Sequence, residues 1–202
     1  VVALTALSNI TNSALNAGKR LITSLSTDQL TAGWAKYEEK TSSVQTLMNS
    51  TGKSIDEING YLDHLMRYSD QTSYSFTDMT SSLAQLTSAG GDIEKLIPMI
   101  EGIANATAFA GKGTAEFSRV IYNLNQSYSA GRLTALDWKS IEMAGVASKQ
   151  LKQALIDAGI AAGKISEGEV TIENFRDSLS KGWSETGVME EAFGKFYEFT
   201  DR

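Results

Sequence analysis

The 202-residue chain has no cysteine, a single proline (Pro98) and a single histidine (His64). Without thiols, disulfides and thiolate chemistry are excluded, and the redox compartment leaves no mark on the composition. One histidine and no cysteine fall short of the nitrogen and sulfur ligands that a zinc site needs. No metal and no cofactor are expected. A lone proline permits long helical stretches, because little else removes a backbone donor. Positive charge is also scarce: 18 Lys and Arg stand against 24 Asp and Glu, a net charge of −6. No Lys/Arg cluster offers the face that displaces counterions from a duplex, so direct nucleic acid binding is not expected. Long apolar runs are missing too. The uncharged stretch 1–18 is broken every few residues by Thr, Ser or Asn and has no basic flank, so it reads as neither a signal peptide nor a membrane span. Its start at valine suggests a piece of a longer chain.

What is present is ordinary for a globular protein: 42% hydrophobic and 21% charged residues, enough length for one domain with a helical extension. A single unbroken helix of this length would reach roughly 300 Å. The 17 glycines, many at candidate helix ends, predict instead a chain that folds back on itself. No stretch alternates with period two long enough to demand a sheet. The expected class is all-α: a compact multi-helix domain of short amphipathic helices over residues 51–202, preceded by an N-terminal helical extension over residues 1–50.

Local signals mark the elements. Residues 1–25 carry Leu7, Ile10, Ala14, Leu21 and Leu25 near one helical face. Residues 27–48 read as helix or loop plus helix around Trp34, Tyr37, Val44, Leu47 and Met48, and Gly52 breaks them. Ser54 with Glu57, and Ser75 with Asp78, are capping boxes that open two helices. Asp92 caps the next, in which Pro98 predicts a kink or a late start. Gly111–Gly113 is a turn, and Thr114 is the expected cap of a helix carrying Phe117, Val120, Ile121, Leu124 and Tyr128. The stretch 127–183 reads as the organising core of the chain. In it Gly131 ends one helix, Thr134 and Asp137 open another, and Gly145 closes it. A helix from Ser148 is expected to stop at Gly159. Thr171 is the expected cap of a helix with Phe175 and Leu179, with Val170 and Phe175 as a hydrophobic staple and Gly182 as the stop. Thr186 or Ser184 starts the last helix, lined by Val188, Ala192, Phe193, Phe196 and Phe199.

Candidate chemistry is sparse. His64 lies beside Asp63, but adjacent helix positions point apart, and no G-x-S-x-G turn accompanies it. It is expected at a helix surface or half-buried. The pairs Glu38–Glu39, Asp56–Glu57 and Glu190–Glu191 are read as solvated or capping. GKGT (Gly111–Thr114) fails the phosphate-loop pattern, since Ala106 stands in place of the first glycine and Gly113 follows Lys112. Trp138, Ile141, Phe175, Leu179, Trp183, Phe193 and Phe196 are the core or interface candidates. Three tryptophans and an aromatic-rich last helix suit burial or contact, and no catalytic residue is assigned.

Four segments in order, SIDEINGYLDHLMRYSDQTSYSFTDM (54–79), LTSAGGDIEKLIPMIEGIANATAFAGKGTAEFSRVIYNLNQ (86–126), LDWKSIEMAG (136–145) and NFRDSLSKGW (174–183), resemble the N-proximal conserved domain of tail tape measure proteins. The likeness is to those of tailed phages and prophages of Gram-positive hosts, and it covers most of residues 34–200. The resemblance implies a non-catalytic structural role in tail length determination, tail assembly and genome delivery. It implies a place in the virion tail tube lumen, and in the host cytoplasm during assembly. Partners implied are tail tube, tail tip and tail assembly chaperone proteins, with self-association open and membrane contact only at ejection. Two other readings stay open on residues alone: a cell-wall-degrading module acting through carboxylates, and a membrane-active segment using residues 1–17 and the last helix.

Overall fold

Polar caps and glycine stops divide the chain into helices much where local chemistry places them. The computed structural model describes residues 43–198. Residues 1–42 and 199–202, and with them the expected helix 1–25, Trp34, Tyr37, Glu38–Glu39 and Phe199, lie outside the described residues. A helical stretch, 43–51, ends at Gly52. There follow α1 (Ile55–Gln71), α2 (Phe76–Ser88), α3 (Ile93–Phe109), α4 (Thr114–Ser129), α5 (Ala135–Met143), α6 (Lys149–Ala161), α7 (Phe175–Ser178), a 3₁₀ turn (Leu179–Lys181) and α8 (Thr186–Glu198). Among the described residues there is no strand, only an isolated bridge between Arg132 and Glu185. The class is all-α.

The caps explain the starts. The Glu57 amide donates to Ser54 Oγ at 3.4 Å and the Ser54 amide to Glu57 Oε2 at 2.9 Å. Asp78 and Ser75 repeat the exchange at 3.1 and 3.2 Å. Each pair satisfies two amides that a helix start leaves without carbonyl partners. Asp92, Thr134 and Ser148 cap α3, α5 and α6 by one half of this exchange, their side chains accepting the Glu94, Asp137 and Leu151 amides. The exit of α4 shows the stop: Gly131 turns to φ +75°, and the Arg132 amide reaches back to Ser127 O at 2.9 Å. That closure satisfies carbonyls of the last turn and needs a left-handed residue, where a side chain would be strained.

Several expectations change. The cap of α4 is Gly113, not Thr114; Thr114 is already helical, and the Glu116 carboxylate accepts the Gly113 amide at 3.1 Å. The helix α3 begins at Ile93 and runs through Pro98, so there is no late start; neighbouring packing holds a residue that cannot donate to the Glu94 carbonyl. Gly159 does not stop α6, which continues to Ala161 and turns at Gly163 (φ +67°). Thr171 exchanges hydrogen bonds with Asn174, the Thr171 amide donating to Asn174 Oδ1 at 2.8 Å, but this closes a turn. The next element is a single helical turn, α7, capped by Asn174 and continued by the 3₁₀ turn to Gly182 (φ +77°). The last helix starts at Thr186.

The centre of the fold also lies elsewhere than 127–183. The helix α3 is buried nearly all round, on Ile93, Leu96, Ile97, Met99, Ile100, Ile103, Ala104 and Ala106, the pattern of a central helix. Its most extensive partner is α8, which also packs on α6, while α1, α2 and α4 surround the rest of it. Gly102 makes the α3–α8 crossing: a Cβ there would lie 1.8 Å from the carbonyl oxygen of Phe193. Only the missing side chain lets the two backbones come this close.

Candidate functional site

The seven residues singled out by size and spacing are all buried. Six-membered and indole rings from α5, α7 and the segment after it meet in one cluster. Trp138 and Phe175 lie 4.7 Å apart between centroids, tilted by 54°, and Phe175 meets Trp183 edge-on at 5.7 Å and 88°. Such pairs contribute roughly 0.5–1.5 kcal/mol each beyond the burial of their area. Both indole donors are satisfied: Trp183 Nε1 donates to Ser178 Oγ at 3.0 Å, and Trp138 Nε1 to Glu142 Oε1 at 2.9 Å. Glu142 also holds Lys152 and Arg176, each at 3.3 Å, so one carboxylate ties α5 to α6 and α7. Ile141 and Leu179 fill the surrounding space, and Phe193 and Phe196 lie on α8, where it crosses Gly102 of α3. This is a packed interior in which both indole donors are paired, while the buried Ser184 hydroxyl beside Trp183 makes no hydrogen bond among the described residues.

A second cluster joins three helices. The Tyr128 hydroxyl donates to Glu190 Oε1 at 2.9 Å, and Lys95 Nζ lies 3.4 Å from Glu190 Oε2. Burial first, and then the Glu190 charge, push the Tyr128 phenol far above its ordinary range, so it acts as a fixed donor rather than a base. Glu191 pairs instead with Lys195 at 3.1 Å. The carboxylates that could have formed an acid–base couple are thus spent on a phenol and two lysines. Glu57, of the third such pair, is held below the usual carboxylate range by the Ser54 hydroxyl and amide.

His64 is half-buried on α1, and Asp63 beside it is exposed. Its partner is Glu101 of α3, whose Oε1 lies 2.8 Å from His64 Nε2. Despite this closeness, Oε1 makes no aligned hydrogen bond. Glu101 is 1% exposed, and burial pushes its carboxyl above the usual range, against the pull of His64. Sequence reasoning misses this pair because it joins helices far apart in the chain, and only the two residue types carry any signal.

The GKGT turn is closed by its own acid. The Gly113 amide is taken by Glu116, and that bond holds the Glu116 carboxyl below its usual range. A bound phosphate would face this anion. Among the described residues no group of three or more His, Cys, Asp or Glu could hold a metal ion. No described helix is long and apolar enough to cross a membrane. The depressions are shallow, one of about 380 Å³ between Pro98, Gly194 and the charged residues Glu94, Lys95, Glu190 and Glu191.

Large apolar side chains also reach the surface. Leu136 and Met143 on α5 are 74% and 73% exposed, and Phe109 and Tyr122 are exposed on α3 and α4. Leu136 and Met143 stand two turns apart on the face opposite Trp138 and Ile141, so α5 is apolar on both sides. The composition of LDWKSIEM carries that signal, but spacing from Trp138 picks out only the inner pair.

Compared with known families, residues 32–198 match the model of a family described as tape measure protein. No curated protein and no solved structure matches the chain.

Proposed function

From the premise that the chain belongs to the tape measure protein family, a structural component of phage tails, we propose that its folded unit is a contact module carried on the tape measure. It acts in tail length determination, tail assembly and genome delivery, and performs no catalysis. The family match over 32–198 carries this reading. A ruler in the simple sense is an extended helix whose reach grows by about 1.5 Å per residue. The folded unit is the opposite: glycines and caps bring its helices back onto α3. A body of this kind serves by its surface, docking to tail tube, tail tip or tail assembly chaperone proteins, in the tube lumen and in the host cytoplasm during assembly.

The non-catalytic reading is supported by the structural engagement of Trp138 with Glu142, Trp183 with Ser178 and Tyr128 with Glu190. A pull-down of the 202-residue chain against each tail protein of its own phage tests the reading. Retention of tube, tip or chaperone protein is the expected result. A chain that retains none of them, yet clears peptidoglycan in a gel, would replace it with a wall-degrading module.

A further inference from the structure

The face of α1 turned to α3 is polar where most helix contacts in this fold are apolar. Tyr61, His64 and Tyr68 follow one another at helical spacing. The Tyr61 hydroxyl donates to Glu94 Oε1 at 3.2 Å, and the Tyr68 hydroxyl lies 3.3 Å from Glu101 O and 2.8 Å from Asn105 Oδ1. Between them His64 meets the buried Glu101 carboxylate. We propose that His64 and Glu101 form a proton-holding latch between α1 and α3, closed while the pair carries a proton and loosened when it gives that proton up.

The physical basis is the mismatch of environments. Glu101 is 1% exposed, and its Oε1 has no aligned donor, so among the described residues His64 at 2.8 Å is the group placed to offset the hydration its charged form loses. The His64 side chain is 42% exposed, so the ring links the buried acid to solvent. The other ionisable groups named on the surrounding elements are exposed or hold other partners. On α1, Asp63 and Arg67 are exposed. At the upstream end of the interface Lys53 bonds Glu94 at 2.8 Å. On α8, Glu190 takes Tyr128 and Lys95, and Glu191 takes Lys195. From α2 and α4, Asp78 and Glu116 close helix starts, and Arg119 is exposed. Among the described residues, His64 is the group that acts on Glu101 after burial.

The sign follows from linkage. A carboxyl raised on folding stabilises the folded state below its unfolded value, and that contribution is lost as pH rises through the folded value. Acid therefore closes the latch and rising pH loosens it.

Hydrogen exchange of the full chain tests this between about pH 5 and about pH 8, the interval in which a histidine's charge ordinarily changes. After correction for intrinsic exchange, protection of α1 amides is expected to fall on the order of tenfold over that range, the ratio set by one pKa unit. Protection of interior α3 amides is expected to hold. Glu101→Gln, which keeps the shape and removes the charge, should abolish the α1 trend, and His64→Gln should steepen the loss by stranding the acid. An unchanged slope in Glu101→Gln, or no slope in the unsubstituted chain, overturns the latch. Should Glu101→Gln fail to fold, calorimetric unfolding of the unsubstituted chain near neutral pH in buffers of different ionisation enthalpy decides. His64 is the only histidine, so net proton release supports the latch and none overturns it.

Discussion

Gly159 faces Trp183 so closely that a methyl group on its Cα would lie 2.8 Å from both Cε3 and Cζ3 of the indole. The glycine sits inside α6, where it weakens the helix by roughly 0.5–1 kcal/mol relative to alanine. That cost is offset by letting Trp183 lie against the helix while its edge meets Phe175. The relationship links a backbone choice in α6 to the aromatic cluster that joins α5 and α7.

Gly159→Ala is therefore expected to destabilise the unit by about 1–3 kcal/mol through overpacking, despite its better helix propensity. Urea unfolding followed by tryptophan fluorescence measures it. Adding Trp183→Phe, which removes the clashing six-membered ring, should recover part of the loss. Purely additive effects in the double variant would contradict the contact.

Gly102→Ala should be worse, by about 3 kcal/mol or more, because the obstruction is the Phe193 carbonyl, backbone that no rotamer change can move. Gly60, in α1, has nothing within 4 Å of its missing Cβ, and Gly60→Ala is expected to stabilise by roughly 0.5–1 kcal/mol. The opposite signs of two identical substitutions, read from urea midpoints, test whether the α3–α8 crossing is as close as described.

At the start of α5, Thr134 Oγ1 accepts the Asp137 amide at 3.2 Å and donates to Asp137 Oδ2 at 2.6 Å, while Ser127 Oγ lies 3.1 Å from the same oxygen. Thr134→Ala is expected to cost about 1 kcal/mol in thermal or urea unfolding. Thr134→Ser keeps the hydroxyl and should cost much less; equal losses for the two would show that the cap is not what matters.

The acid side of the stability curve should be set by the helix starts. Glu57 is held below its ordinary value of 4.5 by the Ser54 hydroxyl, Glu116 by the Gly113 amide and Glu169 by the Ser166 amide. A lowered carboxyl contributes stability above its unfolded value that is lost as pH falls through the folded one. Stability is expected to drop below about pH 4.5, with Glu101 working in the opposite direction. Urea midpoints on the acid side for Glu116→Gln should show a shallower drop than the unsubstituted chain, and an identical drop would remove Glu116 from the explanation.

The features legible in the sequence are local. Ser54 with Glu57, Ser75 with Asp78 and Thr134 with Asp137 act within one turn, so three or four residues carry the whole signal. Gly131, Gly145 and Gly182 read as stops for the same reason. Gly159 reads as a stop as well, because a glycine that ends a helix and one that admits a neighbour look alike until the neighbour is placed. Gly102 carries no signal of its own. The stretch 127–183 looks central because its tryptophans are conspicuous, whereas α3 is central through plain aliphatic burial. Thr171 meets its partner Asn174, but a turn can use the same exchange as a helix start. His64 with Glu101, and Leu136 with Met143 on the outer face of α5, depend on how helices pack, which periodicity within one helix does not contain.

The most direct test of the central claim is tail length in electron micrographs of phage whose full-length tape measure protein lacks residues 44–198. The account predicts shortened tails or no assembled tails. Virions with normal, infectious tails of unchanged length would contradict it.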